Sequence, residues 1–169
     1  MFTVPLNEYN LPYPPPIDSA IHPIIVHFVI AMVLLSVFFD FLGYFRRSET
    51  LLNAGWWNLV VGSAAIVFAI FFGQFEAGLA HDSPGIRPVL DWHTLIGWSL
   101  GAILLVLAAW RGVIRYRNPA GMNTAYLGAG LVVVGIVFYQ TFLGTQLVWI
   151  YGIHVKPVVE ATRSGVEVP

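Results

Sequence analysis

Four apolar stretches, each long enough to cross a lipid bilayer, constrain this chain more than any other feature of its sequence. They cover residues 23–45, 54–75, 92–110 and 124–153, and only the first contains a charged residue, Asp40. A bilayer core needs about 20 apolar residues in a helix. Of the 169 residues, 57% are hydrophobic and 10% are charged, whereas soluble domains carry roughly 25% charged residues. A soluble enzyme is therefore excluded.

The connections between these stretches are short, and short connections favour antiparallel neighbouring helices. We therefore predict an all-α fold, an integral membrane four-helix antiparallel bundle over residues 21–156. The predicted helices cover about residues 23–45, 54–79, 89–111 and 124–154. A proline-rich extramembrane segment, residues 1–20, precedes the bundle, and a polar C-terminal tail, residues 157–169, follows it.

The basic residues predict the orientation, because cytoplasmic loops carry an excess of Lys and Arg. One side of the bundle holds five of the eight: Arg46, Arg47, Arg111, Arg115 and Arg117. The other side holds Arg87, Lys156 and Arg163. Both termini are thus predicted to lie on the outer, non-cytoplasmic side of a plasma or thylakoid membrane. Asp40, near the cytoplasmic end, is expected to pair with Arg46 or Arg47.

The charge and cysteine content exclude further classes of function. A net charge of −1 provides no basic surface for nucleic acid. Because the chain has no cysteine, any bound metal must use imidazoles or carboxylates. The predicted topology brings all five histidines to the outer face of the membrane: His22, His27, His81, His93 and His154.

Two of these histidines are predicted to lie inside the membrane at matched depth. His27 follows Pro23 by about 6 Å of helix, within an uninterrupted apolar run, and His93 lies at a similar depth after Pro88. Ionisable residues within a span usually face the bundle interior. This spacing predicts either two axial imidazole ligands of a haem iron or a hydrogen-bonded interior pair.

The other histidines suggest separate sites. His22 lies about 140° around the helix from His27, so the two are expected to serve different sites. His22 could bind a second metal or haem with His81 or His154, or could end its helix in the headgroup layer. A zinc site of three outer histidines with Asp82 or Asp91 is chemically allowed. Arg87 is the preferred cation for a haem propionate, because outer basic residues are few.

Two segments resemble a known family. His22-Pro23-Ile24-Ile25-Val26-His27-Phe28 is similar to the opening HPxxVHF signature of domain of unknown function family 2231. The segment from Gly144 to Gly152 is similar to its closing stretch, and the resemblance covers about residues 20–156. The family is grouped with di-haem cytochrome b-like membrane proteins. The resemblance therefore implies haem b and electron transfer, with His27 and His93 at the positions where ligands are needed.

Three functions follow as hypotheses. The first is a b-type haem-binding membrane protein that transfers electrons at the outer face with a quinol, a soluble electron carrier or a larger membrane redox complex. The alternative is a non-catalytic accessory or assembly subunit of a respiratory or photosynthetic membrane complex. The third is an outward-facing metal-binding membrane protein. An electron carrier or accessory subunit is favoured over an independent enzyme.

Overall fold

The computed structural model describes residues 17–79 and 85–153, which form four α-helices. These are α1 (Ile17–Arg46), α2 (Glu49–Leu79), α3 (Ile86–Arg117) and α4 (Thr124–Trp149). All four are long and apolar enough to cross a membrane, and the described residues contain no strand. The all-α, multi-pass membrane architecture is confirmed. Residues 1–16 of the proline-rich segment and the whole predicted tail, 157–169, lie outside the described residues.

Helices α1, α2 and α3 extend beyond their apolar stretches, because the polar residues at their ends are helical as well, whereas α4 ends at Trp149, inside its stretch. Helix α2 begins at Glu49, an acidic residue in the first turn, where a carboxylate stabilises the positive end of the helix dipole. Between α1 and α2, Arg47 adopts the left-handed conformation with φ 52°, and Ser48 N donates to Gly43 O at 3.0 Å. This C-cap closes the first hairpin tightly. The Asn123 side chain caps α4 by accepting from Ala125 N.

The four helices form an antiparallel bundle with α1 and α3 on one diagonal. Helix α1 packs against α2 and α4, and α3 packs against the same two helices. The α1–α2 interface is the most extensive, because glycines let the two main chains approach closely. A Cβ atom placed on Gly43 would lie 2.8 Å from Leu52 Cδ2, and one on Gly62 would lie 3.2 Å from Met32 Cβ.

The two helical hairpins, α1–α2 and α3–α4, are related by a repeat of 71 residues. This is the spacing between Asp40 and Arg111, and α1 and α3 end at the same spacing, at Arg46 and Arg117. Buried positions of α1 recur in α3, where Val29, Val33, Ser36 and Asp40 correspond to Leu100, Leu104, Leu107 and Arg111. Those of α2 recur in α4, where Gly55, Leu59, Gly62 and Ile66 correspond to Tyr126, Gly130, Val133 and Val137. Because both hairpins start at the same end of the bundle, the repeat is a parallel one about an axis along the bundle.

The outside of the bundle is strongly apolar. Only 22–28% of each spanning window is buried inside the protein, and large aromatic side chains point outward: Phe38, Phe68, Phe71, Phe75, Trp98, Phe138 and Phe142. In water such a surface would drive aggregation, whereas lipid chains cover it without cost. The helices therefore contact a lipid bilayer directly.

Candidate functional site

Two pairs of polar residues lie on the diagonal helices α1 and α3, one pair near each end of the bundle, and the pair Asp40 and Arg111 is in direct contact. We call the end that carries His22 and His93 the histidine end, and the end that carries Asp40 and Arg111 the ion-pair end. His22 and Asp40 are five helical turns apart, about 27 Å, which approaches the thickness of a bilayer core. Both pairs occupy equivalent positions of the repeat, because His93 follows His22 at the spacing that separates Arg111 from Asp40.

The His22 ring is held by α2. Its Nδ1 lies 2.7 Å from Ala69 O, and because a carbonyl oxygen only accepts, Nδ1 carries the hydrogen and donates it. In the neutral ring this leaves the Nε2 lone pair available as an acceptor or a metal ligand. The ring packs against Gly73, where a Cβ atom would lie 2.8 Å from His22 Cε1. The glycine therefore makes the space that the imidazole fills.

The His93 ring lies in the matching place on the other hairpin. It packs against Gly144, where a Cβ atom would lie 3.2 Å from its Cε1, and Gly144 is the repeat equivalent of Gly73. Gln140, the repeat equivalent of Ala69, binds the main chain of His93, because its side-chain Nε2 donates to His93 O at 2.9 Å. His93 Nδ1 is buried without a hydrogen-bond partner among the described residues.

Of the two described histidines of α1, His22 rather than His27 occupies the position that corresponds to His93, with its ring held against α2 as the His93 ring is held against α4. The His27 side chain is exposed, and its Nδ1 donates to Pro23 O of its own helix at 2.6 Å. The physical reason is helix geometry. His22 and His27 are about 140° apart around α1, so His27 points away from the interior when His22 faces it. The expectation that His27 and His93 face each other is replaced by a pair formed from His22 and His93.

Arg87 lies on the exposed surface of α3. It forms an ion pair with Asp91, one turn further along, at 3.6 Å, with both side chains about two-thirds exposed. Within residues 17–79 and 85–153, no hydrogen bond or ion pair joins Arg87 to His22 or His93. The remaining predicted site residues lie outside the described residues: His81, His154, Asp82, Lys156 and Arg163.

The described part of the chain contains no cluster suited to a multidentate metal site. No group of three or more His, Cys, Asp or Glu side chains within it is placed to hold a metal ion. The predicted zinc site drew on His81, His154 and Asp82 as well, which fall outside that part. What the described residues provide at the histidine end is a pair of imidazoles.

At the ion-pair end, Asp40 binds Arg111 rather than Arg46 or Arg47. Arg111 donates from Nε to Asp40 Oδ2 at 3.3 Å and from Nη2 to Asp40 Oδ1 at 3.1 Å. Arg111 Nη2 also donates to Leu52 O at 3.1 Å. The side chains are 0% and 1% exposed. The expected pairing is corrected because Asp40 faces the bundle interior, whereas Arg46 and Arg47 are exposed at the end of α1.

Aromatic rings complete the ion-pair end. The Arg111 guanidinium lies 5.9 Å from the centre of the Tyr126 ring, a cation–π contact, and Trp110 packs edge-on against the same ring. A bidentate pair between guanidinium and carboxylate, stacked on an aromatic ring, suits a desolvated charge. Sequence reasoning placed Arg111 in a cytoplasmic cluster and missed this contact. The spacing of 71 residues that relates Asp40 to Arg111 and His22 to His93 was the signal that could have found both pairs.

These features define an integral membrane protein made of two helical hairpins, with a pair of polar residues on the diagonal helices near each end of the bundle. The chain belongs to the DUF2231 family, described as predicted membrane proteins, whose model matches residues 18–157. That match confirms the resemblance identified from the two sequence motifs, and it includes both diagonal pairs. No curated protein and no solved structure matches the chain significantly.

Proposed function

We propose that this protein binds haem b at the histidine end, with His22 and His93 as the two axial ligands, and transfers electrons at the outer membrane face. The observation that carries the proposal is the placement of two imidazoles at equivalent positions of the repeat, on the diagonal helices α1 and α3, each packed against a glycine of the neighbouring helix. Bis-imidazole ligation requires one ring from each of two facing walls of a bundle. The resemblance seen in the two sequence motifs, which implies haem b, agrees with this proposal.

The residues at this end fit a haem. An imidazole that binds a metal usually donates its second ring nitrogen to a carbonyl, which fixes its orientation and raises its basicity. His22 has this arrangement, because Nδ1 donates to Ala69 O and Nε2 remains available. Gly73 and Gly144 leave both rings room that any larger side chain would take. When bound, the haem would supply a centre that accepts and releases one electron.

The propionate groups of a haem would need a cation near the histidine end. Arg87 is six residues before His93 on α3, and its partner Asp91 holds it only through an exposed ion pair. Such pairs contribute about 0–1 kcal/mol, so a propionate could replace the carboxylate of Asp91 at little cost. Electron partners of the proposed centre are a quinol, a soluble carrier or a larger membrane redox complex.

The test is the spectrum of the protein purified in mild detergent. We expect a reduced-minus-oxidised difference spectrum and a pyridine haemochrome of haem b in the wild type. Both should be lost in His22→Ala and in His93→Ala. His27→Ala is the matched control, since it removes an imidazole from the same helix but from the exposed face, and it should keep the haem.

Two outcomes would overturn the proposal. One is a folded wild-type protein that stays colourless when expressed with sufficient haem supply, which would leave the accessory or assembly subunit as the better hypothesis. The other is loss of haem in His27→Ala with full retention in His22→Ala. That result would return the ligand role to the residue suggested by the sequence.

A further inference from the structure

The two histidines of the pair are held differently by the helices that face them. In the first hairpin, the main-chain carbonyl of Ala69 accepts a hydrogen bond from His22 Nδ1, and the side chain at that position is a methyl group. In the second hairpin the equivalent residue is Gln140, which carries a long amide side chain. The repeat is therefore broken at the residue that orients the second ring.

Gln140 contacts His93 through its side chain. Its Nε2 donates to His93 O at 2.9 Å. Gly97, one turn after His93, makes room for this amide, because a Cβ atom there would lie 3.2 Å from Gln140 Nε2. Helices α3 and α4 are thus joined by a hydrogen bond at the residue that carries the second imidazole.

The same place contains two buried polar atoms without partners among the described residues, Gln140 Oε1 and His93 Nδ1. Gln140 Oε1 is an acceptor. His93 Nδ1 is a donor when its ring carries the hydrogen on Nδ1, as the His22 ring does. Leaving either unsatisfied in an apolar environment costs free energy. Because the amide is anchored to the main chain of His93, its oxygen remains close to the turn that carries this ring.

We propose that Gln140 is a positioning residue that holds His93 in place for its ligand role. The side-chain amide fixes the α3 main chain at His93. The amide oxygen of Gln140 is the acceptor for His93 Nδ1, as Ala69 O is for His22. In this way a side chain does in the second hairpin what the main chain does alone in the first. The proposal deepens the haem function, on which one of its two tests rests.

The first test needs no cofactor. In protein labelled with ¹⁵N-histidine and freed of haem, the neutral His93 ring should give the signal of a hydrogen on Nδ1. Gln140→Met keeps the length of the side chain and removes both amide atoms, and it should shift His93 toward a mixture of tautomers. Gln146→Met makes the same change on the same helix and should leave the His93 signals unaltered. An unchanged His93 spectrum in Gln140→Met would overturn the proposal.

The second test measures haem affinity. Loss of a group that orients a metal ligand typically weakens binding about 10–100-fold, so we expect this loss for Gln140→Met and none for Gln146→Met. Equal affinity in Gln140→Met and the wild type would overturn the positioning role. A wild-type protein that binds no haem would instead contradict the proposed function, while the tautomer measurement would still decide the role of Gln140.

Discussion

The two ends of the bundle use equivalent positions of the repeat in opposite ways. At the ion-pair end the equivalent residues carry opposite charges, so Asp40 and Arg111 neutralise each other within the protein. At the histidine end the equivalent residues are identical, and two imidazoles cannot neutralise or fully satisfy one another. The charges at the ion-pair end are thus paired within the protein, although Arg111 Nη1 and Ser36 Oγ there are buried without a hydrogen-bond partner among the described residues. At the histidine end no ion pair joins the two equivalent residues, and His93 Nδ1 lacks a partner among the same residues. The comparison separates a structural contact from a candidate binding site.

The largest effect on stability should come from breaking the buried ion pair of Asp40 and Arg111. Arg111→Met leaves the Asp40 carboxylate buried without its partner, and such a change typically costs about 3–5 kcal/mol. We expect a corresponding drop in thermal or denaturant stability of the detergent-solubilised protein. Arg117→Met, which changes an exposed residue of the same helix, should alter stability little. A loss in Arg111→Met no larger than that in Arg117→Met would show that the buried pair contributes little to the fold.

A double replacement sharpens the same point. Exchanging the charges, with Asp40→Arg and Arg111→Asp together, should recover part of the stability that either single change removes, because the two positions are equivalent in the repeat. The coupling is read as the difference between the double variant and the sum of the two single variants. Strict additivity would contradict a direct interaction across the diagonal.

Intermediate effects are expected from the glycines at the histidine end. Gly73→Ala places a methyl group 2.8 Å from His22 Cε1, so the ring must move and its bond to Ala69 O is lost. Overpacking of this kind costs about 1–3 kcal/mol, offset by up to about 1 kcal/mol of helix propensity. Gly144→Ala has 3.2 Å available and should change stability less.

Gly135→Ala is the control for these two variants. No atom lies within 4 Å of a Cβ placed on Gly135, so this change should stabilise the protein by up to about 1 kcal/mol. Stability and haem content are measured together on all three proteins. If Gly73→Ala behaved like Gly135→Ala in both, the His22 ring would not depend on the space that Gly73 leaves.

The smallest effect on stability is expected on the exposed surface of the histidine end. Arg87→Ala removes an exposed ion pair with Asp91, worth about 0–1 kcal/mol. If Arg87 binds a propionate, the variant should nevertheless bind haem more weakly, and Arg117→Ala should not. Equal haem affinity in Arg87→Ala and the wild type would remove Arg87 from the site without affecting the ligand assignment.

Much of the fold could be predicted because membrane helices are marked by long uncharged stretches. The four spans, the helical class and the family motif were all readable, and so was the rotation that separates His22 from His27. The choice between these two histidines was not. Depth along α1 favoured His27, because it lies deeper in the apolar run, but depth does not tell which side of a helix faces its neighbours.

The prediction of the partner of Asp40 failed for a related reason. Arg46 and Arg47 are its near neighbours in sequence, whereas Arg111 is 71 residues away, and pairing by sequence distance favoured the wrong partner. The repeat itself has few identical residues and is seen most clearly in the burial pattern. Buried positions such as Val33 and Leu104 recur in register although their side chains differ.

By itself, the sequence determined that this protein crosses a membrane four times and belongs to its family, because hydrophobic length and a local motif are properties of single segments. Only the tertiary structure decided that His22 packs against α2, that Asp40 binds Arg111, and that His27 faces outward. Those facts depend on the rotation of each helix about its axis. That rotation is set by close packing at glycines and by buried polar contacts between helices, which no single segment contains.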